Sequence, residues 1–277
     1  MPKLNYLRLE LHSKVEVNAH LAKEILEFIC SYADGSMEPE RYGLTEPLKE
    51  KLDKNELSKP IKLLSAGSSS VLFKRVKSIR YEGGIEDLRP SPYPILIEGG
   101  NEKILKLPRI KKPKILTKVT LWLDLNHIGK KPKVFIETFF KEFFIKLDCD
   151  FGFLTLTEDY DHKNHLVKTI KHGTFETYLG KSLEKEGIPG LYWINILGKS
   201  YINWFGSEKF DKIKCWKKEK LDNGSIVLQF CDNPKECSDK KIIELQEEVK
   251  KILDKDTFFN IKKLDSVVKI PPFLTSK

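Results

Sequence analysis

The amino-acid sequence predicts an α+β protein, with an antiparallel or mixed β-sheet that helices cover on one side. Alternating apolar residues indicate strands close to the N-terminus and again from residue 115. Apolar residues at helical spacing follow each strand, and the segment 151–157 (FGFLTLT) then returns to alternation. Such a succession is typical of folds in which helices cover a sheet. We therefore expect one domain over 1–277, in which 1–110 and 111–277 are candidates for two similar halves.

The first predicted strand and helix lie at the N-terminus. Leu7, Leu9 and Leu11 alternate with polar residues, which is the pattern of a strand with one buried face. Apolar residues from Val17 to Tyr32 then recur at intervals of three or four, which predicts a helix with one buried face.

The region between this helix and residue 115 has weaker patterns. Residues 31–47 are rich in Gly, Pro and acidic side chains, so we expect a long exposed loop that carries Arg41 and Tyr42. The stretch 71–84 predicts a strand that ends at a Gly-Gly turn. The stretch 88–100 contains three prolines, which predicts extended chain at a sheet edge or in a loop.

The second half of the chain has clearer patterns. Residues 115–125 alternate with one mostly apolar face and predict a long strand, and a helix follows with apolar side chains along one side from Ile136 to Leu147. Further along, we expect a strand over 191–196, a short helix after Gly198, a strand from Ser225 and an amphipathic helix over 240–253.

Composition indicates a globular protein of the cytoplasm. The 277 residues are 40% hydrophobic, which is enough to bury a substantial core. No segment approaches the roughly 18 apolar residues of a membrane helix, and the start MPKLNYLRLELHSK lacks the features of a secretory signal. The five cysteines are odd in number and show no C-x-x-C spacing, so we expect free thiols. Cys231 and Cys237 flank Asn233 and Pro234, which predicts a turn between them.

The net charge of +9 raises the question of a nucleic-acid partner. The arginines are few and scattered, and base recognition depends mainly on Arg, so sequence-specific binding is not expected. The lysines form runs, of which 212–220 (KIKCWKKEK) places Trp216 among five lysines and suits a single strand held by stacking and phosphate contacts. A solvated lysine face explains the same run without a ligand.

The sequence contains no familiar catalytic signature, and we expect no enzyme activity, no cofactor and no resident metal. Walker-type phosphate loops, the dinucleotide fingerprint, the hydrolase nucleophile elbow and the HExxH zinc helix are all missing. The segment 158–165 (EDYDHKNH) offers Asp159, Asp161, His162 and His165 as mixed metal ligands, and a metal-dependent hydrolase built on them is one alternative. Their order matches no known ligand spacing, so a solvated connection is the simpler interpretation.

The stretch 187–206 (GIPGLYWINILGKSYINWFG) concentrates two Trp, two Tyr and four Gly with almost no charge, so it is either a ligand box or a part of the core. Turn residues precede a predicted strand, and Gly198 and Gly206 bracket a short aromatic helix. Aromatic side chains at strand or helix spacing usually pack in a core. We therefore interpret the stretch as core, with the Asn195 side chain hydrogen-bonded to the backbone.

This arrangement resembles bacterial polymorphic-toxin immunity proteins, and most nearly the immunity protein 52 family. The resemblance covers 135–210 and consists of a Phe-rich helix, then FGFL, then GIPGLYWIN-x-x-G-x-x-Y followed by FGSEKF. The lysine-rich tail after residue 210 and the middle of the chain depart from the family pattern. We take the matched positions as determinants of the fold, and these are Gly190, Tyr192, Trp193, Asn195, Gly198, Tyr201 and Gly206.

The resemblance implies an inhibitor, namely a cytosolic protein that binds one cognate toxin through a protein interface and needs no cofactor. The positive charge then favours a toxin with an acidic surface. Candidate contact residues are Arg41, Tyr42, Lys212, Lys214, Trp216, Lys217 and Lys218. A nonspecific nucleic-acid-binding protein that uses the lysine runs and Trp216 is the main alternative.

Overall fold

The computed structural model describes residues 6–32, 37–45, 47–66, 70–74, 95–99, 115–124, 132–170, 173–264 and 266–275. Contacts within the chain group it into two units. The first comprises Met1–Ile110 and Leu116–Asp148, and the second comprises Lys111–Ile115 and Cys149–Lys277. Each unit combines antiparallel strands with helices, so the predicted α+β class is confirmed. A single domain with halves at 1–110 and 111–277 stays a prediction.

The sheet of the first unit has the strand order β1-β6-β5-β4-β2-β3, with antiparallel neighbours throughout. Its strands are β1 (Tyr6–Ser13), β2 (Arg41–Gly43), β3 (Glu50–Lys51), β4 (Val71–Lys74), β5 (Ile95–Gly99) and β6 (Thr117–Asp124). Its helices are α1 (Ala19–Ser31), α2 (Ser58–Ser65) and α3 (Pro132–Lys146).

The core of the first unit follows the predicted alternation. Leu7, Leu9 and Leu11 are buried, and β1 pairs them with buried residues of β6. Asn18 caps the N-terminus of helix α1. Its side chain accepts a hydrogen bond from the Leu21 N–H at 2.9 Å and so satisfies one of the free donors of the first turn. The predicted first strand, first helix, long strand and Phe-rich helix are confirmed.

The prediction for the stretch 88–100 is wrong. The segment Ile95–Gly99 is an interior strand between β4 and β6, and it lies neither at a sheet edge nor in a loop. All three prolines of the stretch 88–100 precede this strand, so none of them removes a donor from the ladder. Ile95 and Ile97 are buried on one face, which is the alternation that the prolines obscured. Residues 75–94, which include the predicted Gly-Gly turn, lie outside the described residues.

The main sheet of the second unit has the strand order β11-β12-β10-β7, again antiparallel. Its strands are β7 (Cys149–Leu156), β10 (Ile194–Leu197), β11 (Lys217–Lys220) and β12 (Ile226–Gln229), and a separate hairpin contains β8 (His165–Ile170) and β9 (Gly173–Tyr178). The helices are α4 (Thr157–Asn164), α5 (Leu183–Glu186), α6 (Lys199–Phe205), α7 (Ser207–Lys212) and α8 (Lys240–Leu253).

The elements predicted for this unit are confirmed, although the patterns do not predict all of its elements. Strand β7, the short helix α6 after Gly198, strand β12 and the amphipathic helix α8 occur where the patterns predict them, and the predicted strand over 191–196 is observed at Ile194–Leu197. The hairpin of β8 and β9 was not predicted. A cluster of buried apolar side chains from β7, β10, β12 and the helices forms a large part of the core.

Candidate partner-binding surface

The lysine-rich stretch 212–220 lies on the surface of the second unit. It leads from the end of helix α7 into β11, which is the outermost strand of the sheet. Every residue of β11 except Glu219 is exposed. Exposed lysines on an outer strand discourage unwanted strand pairing, and they leave positive charge accessible to a partner.

Trp216 is the most prominent side chain of this surface. It is 63% exposed and immediately precedes β11. Lys212 and Lys214 are exposed close to it in sequence, and within the described part of the chain neither forms an ion pair. An exposed indole close in sequence to exposed lysines offers apolar area and positive charge together, which suits an acidic protein surface.

Within the stretch 212–220, the side chains of Lys217 and Lys218 already contact other groups of the chain. The Lys218 ammonium donates to the carbonyl oxygens of Phe210 at 2.8 Å and Ile213 at 3.4 Å, so it satisfies acceptors at the C-terminal end of helix α7. The Lys217 ammonium lies 3.3 Å from the Glu219 carboxylate in an exposed ion pair of little energetic value. Lys218 therefore stabilises the fold locally, and Lys217 remains accessible.

The prediction for Arg41 and Tyr42 is wrong in its local structure. Both residues lie in strand β2 of the first unit and not in an exposed loop. Tyr42 is only 5% exposed, and its ring stacks on Phe73 with a centroid distance of 6.1 Å. The Arg41 guanidinium donates to the Leu48 carbonyl at 3.4 Å, so it helps to hold the following chain in place. A partner cannot contact the Tyr42 ring without opening the core, which leaves Arg41 as the accessible member of the pair.

The aromatic side chains of the stretch 187–206 pack in or against the core of the second unit. Tyr192, Trp193 and Tyr201 are fully buried. Tyr192 stacks on Phe153 with a centroid distance of 4.3 Å, and the indole N–H of Trp193 donates to the Cys231 carbonyl at 3.0 Å. The rings therefore connect β7, β10 and the chain after β12, and the predicted core interpretation is confirmed.

Asn195 has the backbone role that the sequence predicts. Its side-chain oxygen accepts from the Tyr192 N–H at 3.0 Å, and its side-chain nitrogen donates to the Tyr192 carbonyl at 2.9 Å. Both backbone groups of Tyr192 are thus satisfied by one buried amide at the point where the chain enters β10. Buried backbone groups need such partners, so Asn195 determines the fold here.

The glycines of the motif allow close backbone approach. The Gly198 N–H donates to the Asp150 carbonyl at 2.7 Å, and a Cβ at this position would lie 2.7 Å from the Cys149 carbonyl oxygen. Gly206 ends α6 and begins α7 with φ +91°, a conformation that favours glycine. Gly190 has φ +157°, a conformation that other residues rarely adopt, and a Cβ at this position would lie 3.4 Å from the Tyr192 ring.

The partly buried ammonium group of Lys163 connects helix α4 to helix α8 and to the chain before β10, and sequence reasoning did not identify it. The Lys163 Nζ lies 2.9 Å from Asp159, 2.8 Å from the Leu191 carbonyl and 3.0 Å from the Gln246 side-chain oxygen. All three ammonium hydrogens therefore have acceptors. The group also lies 4.9 Å from the centre of the Tyr192 ring, which adds a cation–π contact. This network links α4 and α8 to the aromatic core.

The thiols of Cys231 and Cys237 lie beside this network. Their sulfur atoms are 3.3 Å apart, and both cysteines are free and buried. The hydrogen bond with Cys231, together with burial, raises the pKa of the Cys237 thiol above its ordinary value. Asn233 accepts a hydrogen bond from the Lys235 N–H at 3.1 Å and begins a 3-10 turn, so the predicted turn between the cysteines is confirmed.

The residues of the alternative metal site do not converge. Asp159 is engaged by Lys163, His162 is exposed, and the His165 ring stacks on Tyr178 at 4.6 Å. Among the described residues no group of three or more acidic, histidine or cysteine side chains is arranged to hold a metal ion. The helix that contains Asp159 and Asp161 therefore gives no support to a hydrolase.

The first unit contains a second buried charge cluster, centred on Glu10. Its carboxylate lies 2.9 Å from Lys118 and 3.3 Å from His12, and it also pairs with Arg8. Burial alone would raise the pKa of Glu10, but Lys118, Arg8 and His12 together hold it well below the ordinary range. Burial lowers the pKa of His12, which keeps its imidazole neutral near pH 7.

No helix among the described residues combines the length and the apolar character needed to cross a bilayer.

Comparison with known proteins relates the fold of this chain to that of a solved structure. No protein-family model matches the chain, and no curated protein sequence matches it. The fold is similar to that of the solved Pseudomonas aeruginosa T6SS protein PA0821, with a TM-score of 0.57 and 13% sequence identity over 90% of this chain and 74% of that chain. At this identity the similarity establishes a shared fold, and the resemblance to the immunity protein 52 family stays a prediction.

Proposed function

We propose that this chain is an immunity protein that binds a cognate bacterial toxin in the cytoplasm and neutralises it by protein–protein contact, without catalysis. The observation that carries the proposal is the fold shared with a T6SS protein over 90% of this chain. The structural similarity to a T6SS protein is compatible with a role of this chain in a toxin system.

The sequence resemblance supports the proposal from a separate direction. The residues that resemble the immunity protein 52 family include Trp193, Asn195 and Gly198, and each of them has a packing or hydrogen-bonding role in the second unit. The shared residues are thus those that build the fold. Residues that distinguish one toxin from another must then lie on the surface, where the family pattern does not specify them.

The exposed group of Lys212, Lys214 and Trp216 is the proposed contact on the second unit, and Lys217 lies beside it. Charge complementarity predicts that the toxin presents acidic side chains to this group, because opposite charges steer association and suppress wrong partners. A cognate toxin with a strongly basic surface at the contact would contradict this part of the proposal.

The direct test is growth rescue. A test bacterium expresses the product of the adjacent gene as the toxin, with and without this chain, and the two proteins are then co-purified. Rescue together with a stable complex supports the proposal. A toxic neighbour that this chain neither neutralises nor binds overturns it.

A charge-reversal variant locates the contact. Lys212→Glu with Lys214→Glu should weaken the complex and slow its formation, whereas Lys235→Glu with Lys241→Glu makes the same change of net charge at exposed positions elsewhere in the second unit. Equal effects of the two double variants would indicate general attraction and no specific contact.

Exposed Trp216 beside lysines also favours one second candidate, a nonspecific binder of single-stranded nucleic acid. Phosphate contacts make such binding fall steeply with salt. Gel-shift titrations of a labelled oligonucleotide at low and moderate salt test this function, and no shift at either concentration removes it.

A further inference from the structure

The hairpin of β8 and β9 is a two-stranded sheet separate from the main sheet of the second unit. Its strands pair from His165 opposite Tyr178 to Ile170 opposite Gly173. The base of the hairpin is fixed to the core. The Leu179 N–H donates to the Asn164 carbonyl at 2.8 Å, and the Tyr178 ring stacks on the Tyr160 ring with a centroid distance of 6.0 Å.

The outer half of the hairpin is exposed on both faces. Residues 167–169 and 174–176 are all exposed, and they include Val167 at 50% and Phe175 at 53%. Phe175 pairs with Lys168, and Val167 pairs with Glu176. Directly opposed residues share a face and successive residues alternate, so the two apolar side chains lie on opposite faces.

A two-stranded hairpin has little stability of its own in water and normally packs one face on a core. Here the base is held, but the outer half displays a half-exposed Phe on one face and a half-exposed Val on the other. An element with apolar side chains on both faces suits insertion between two walls, and it does not suit docking on a flat surface. Insertion would bury both side chains together.

We propose that this hairpin inserts into an apolar cleft of the toxin, with Phe175 against one wall and Val167 against the other. This inference rests on the proposed function and adds a second contact to the one proposed at Lys212, Lys214 and Trp216. Lys168 lies beside Phe175 on the same face, is exposed and forms no ion pair within the described residues. The wall that receives Phe175 therefore carries an acidic side chain at its rim, in keeping with the acidic toxin surface expected from the net charge.

The test uses the full chain and the toxic product of the adjacent gene, released from its complex in urea and refolded. Phe175→Thr with Val167→Thr removes the apolar side chains and keeps residues that favour strands. The dissociation constant should rise at least about 30-fold, because buried aromatic anchors dominate protein interfaces. Ile243→Gln is the matched control, since it removes a 40% exposed apolar side chain from helix α8. It should leave the dissociation constant within about threefold, as surface substitutions outside an interface do.

Hydrogen exchange gives a readout that does not depend on substitution. Backbone amides of the outer hairpin should exchange fast in the free chain and become protected in the complex. Unchanged exchange on toxin binding overturns the inference, as does equal affinity of the double Thr variant and the wild type. In both cases the complex itself still supports the proposed function.

Two further outcomes also decide the inference. If the wild-type chain does not bind the toxin, both the inference and the proposed function fail. If light scattering shows that the hairpin mediates association between two copies, and the double Thr variant abolishes that association without affecting the toxin complex, the occupant is a second copy and the inference is wrong.

Discussion

Replacing Asn195 by Ala tests whether the positions that resemble the immunity family serve to stabilise the fold. The substitution removes both hydrogen bonds to Tyr192 and leaves a buried N–H and a buried carbonyl without their partners. Each unsatisfied buried group costs about 1–3 kcal/mol, so the free energy of unfolding should fall by about 4 kcal/mol. For a unit of this size the midpoint of thermal unfolding should fall by about 15 °C.

Urea unfolding followed by tryptophan fluorescence measures this loss in the relevant unit, because Trp193, Trp204 and Trp216 all belong to the second unit and only Trp122 belongs to the first. The matched control is Asn260→Ala. Asn260 makes the same kind of bond, accepting from the Lys262 N–H at 2.9 Å, but it is exposed and water can replace the side chain. Asn260→Ala should lower the free energy of unfolding by less than about 0.5 kcal/mol.

A second variant separates hydrogen bonding from packing. Asn195→Asp keeps the shape, but only the protonated acid can donate to the Tyr192 carbonyl. Burial raises the pKa of the new carboxyl group, so its ionised form destabilises the fold as pH rises. The stability gap to the wild type should therefore widen between pH 5 and pH 8. A loss for Asn195→Ala no greater than that for Asn260→Ala, or a gap that does not change with pH, would refute the hydrogen-bond argument.

Three further predictions concern other parts of the fold. Gly198→Ala should lower the free energy of unfolding by about 2 kcal/mol in urea titrations, because the new Cβ would lie 2.7 Å from the Cys149 carbonyl oxygen and the backbone must shift; a change below about 0.5 kcal/mol would show that the site can adapt. Lys163→Met should cost about 3–5 kcal/mol by the same assay, because it leaves the nearly buried Asp159 carboxylate without its cation; a neutral result would mean that water reaches the site. His12→Gln should flatten the decline in unfolding midpoint below pH 6.5, because the unfolded imidazole binds a proton that the folded one, with its lowered pKa, does not; an unchanged slope would assign the decline to other groups.

The sequence predicts those elements that bury one face. Helix α8 was predicted over 240–253 and is observed as Lys240–Leu253, because its apolar side chains recur on one side and face the core. Alternating apolar residues predict strands β1, β6 and β7 in the same way, although β1 and β7 are buried along nearly their whole length. Burial of one face requires apolar residues at a regular spacing, and this pattern can be recognised in the sequence alone.

The elements that the sequence did not predict lack such a pattern of apolar residues. The hairpin of β8 and β9 is exposed on both faces over its outer half, so apolar and polar residues do not alternate there. Lys163 gives no signal either, because lysines are mostly exposed and nothing in its local sequence shows that Gln246 will provide an acceptor. Tyr42 was misplaced because Gly and Pro around it suggested a loop, whereas pairing with β3 and β4 draws it into a strand.

This difference between buried and exposed residues determines where the function must be sought. Most of the positions that resemble the immunity family are buried and maintain the fold, so substituting them would reduce binding to the proposed toxin by unfolding the chain and would not locate the interface. Exposed Trp216 and Phe175 contribute little to the core, and their replacement can change binding while the free energy of unfolding stays within about 0.5 kcal/mol. Measuring both quantities for each variant therefore distinguishes a residue that contacts the toxin from one that only holds the fold.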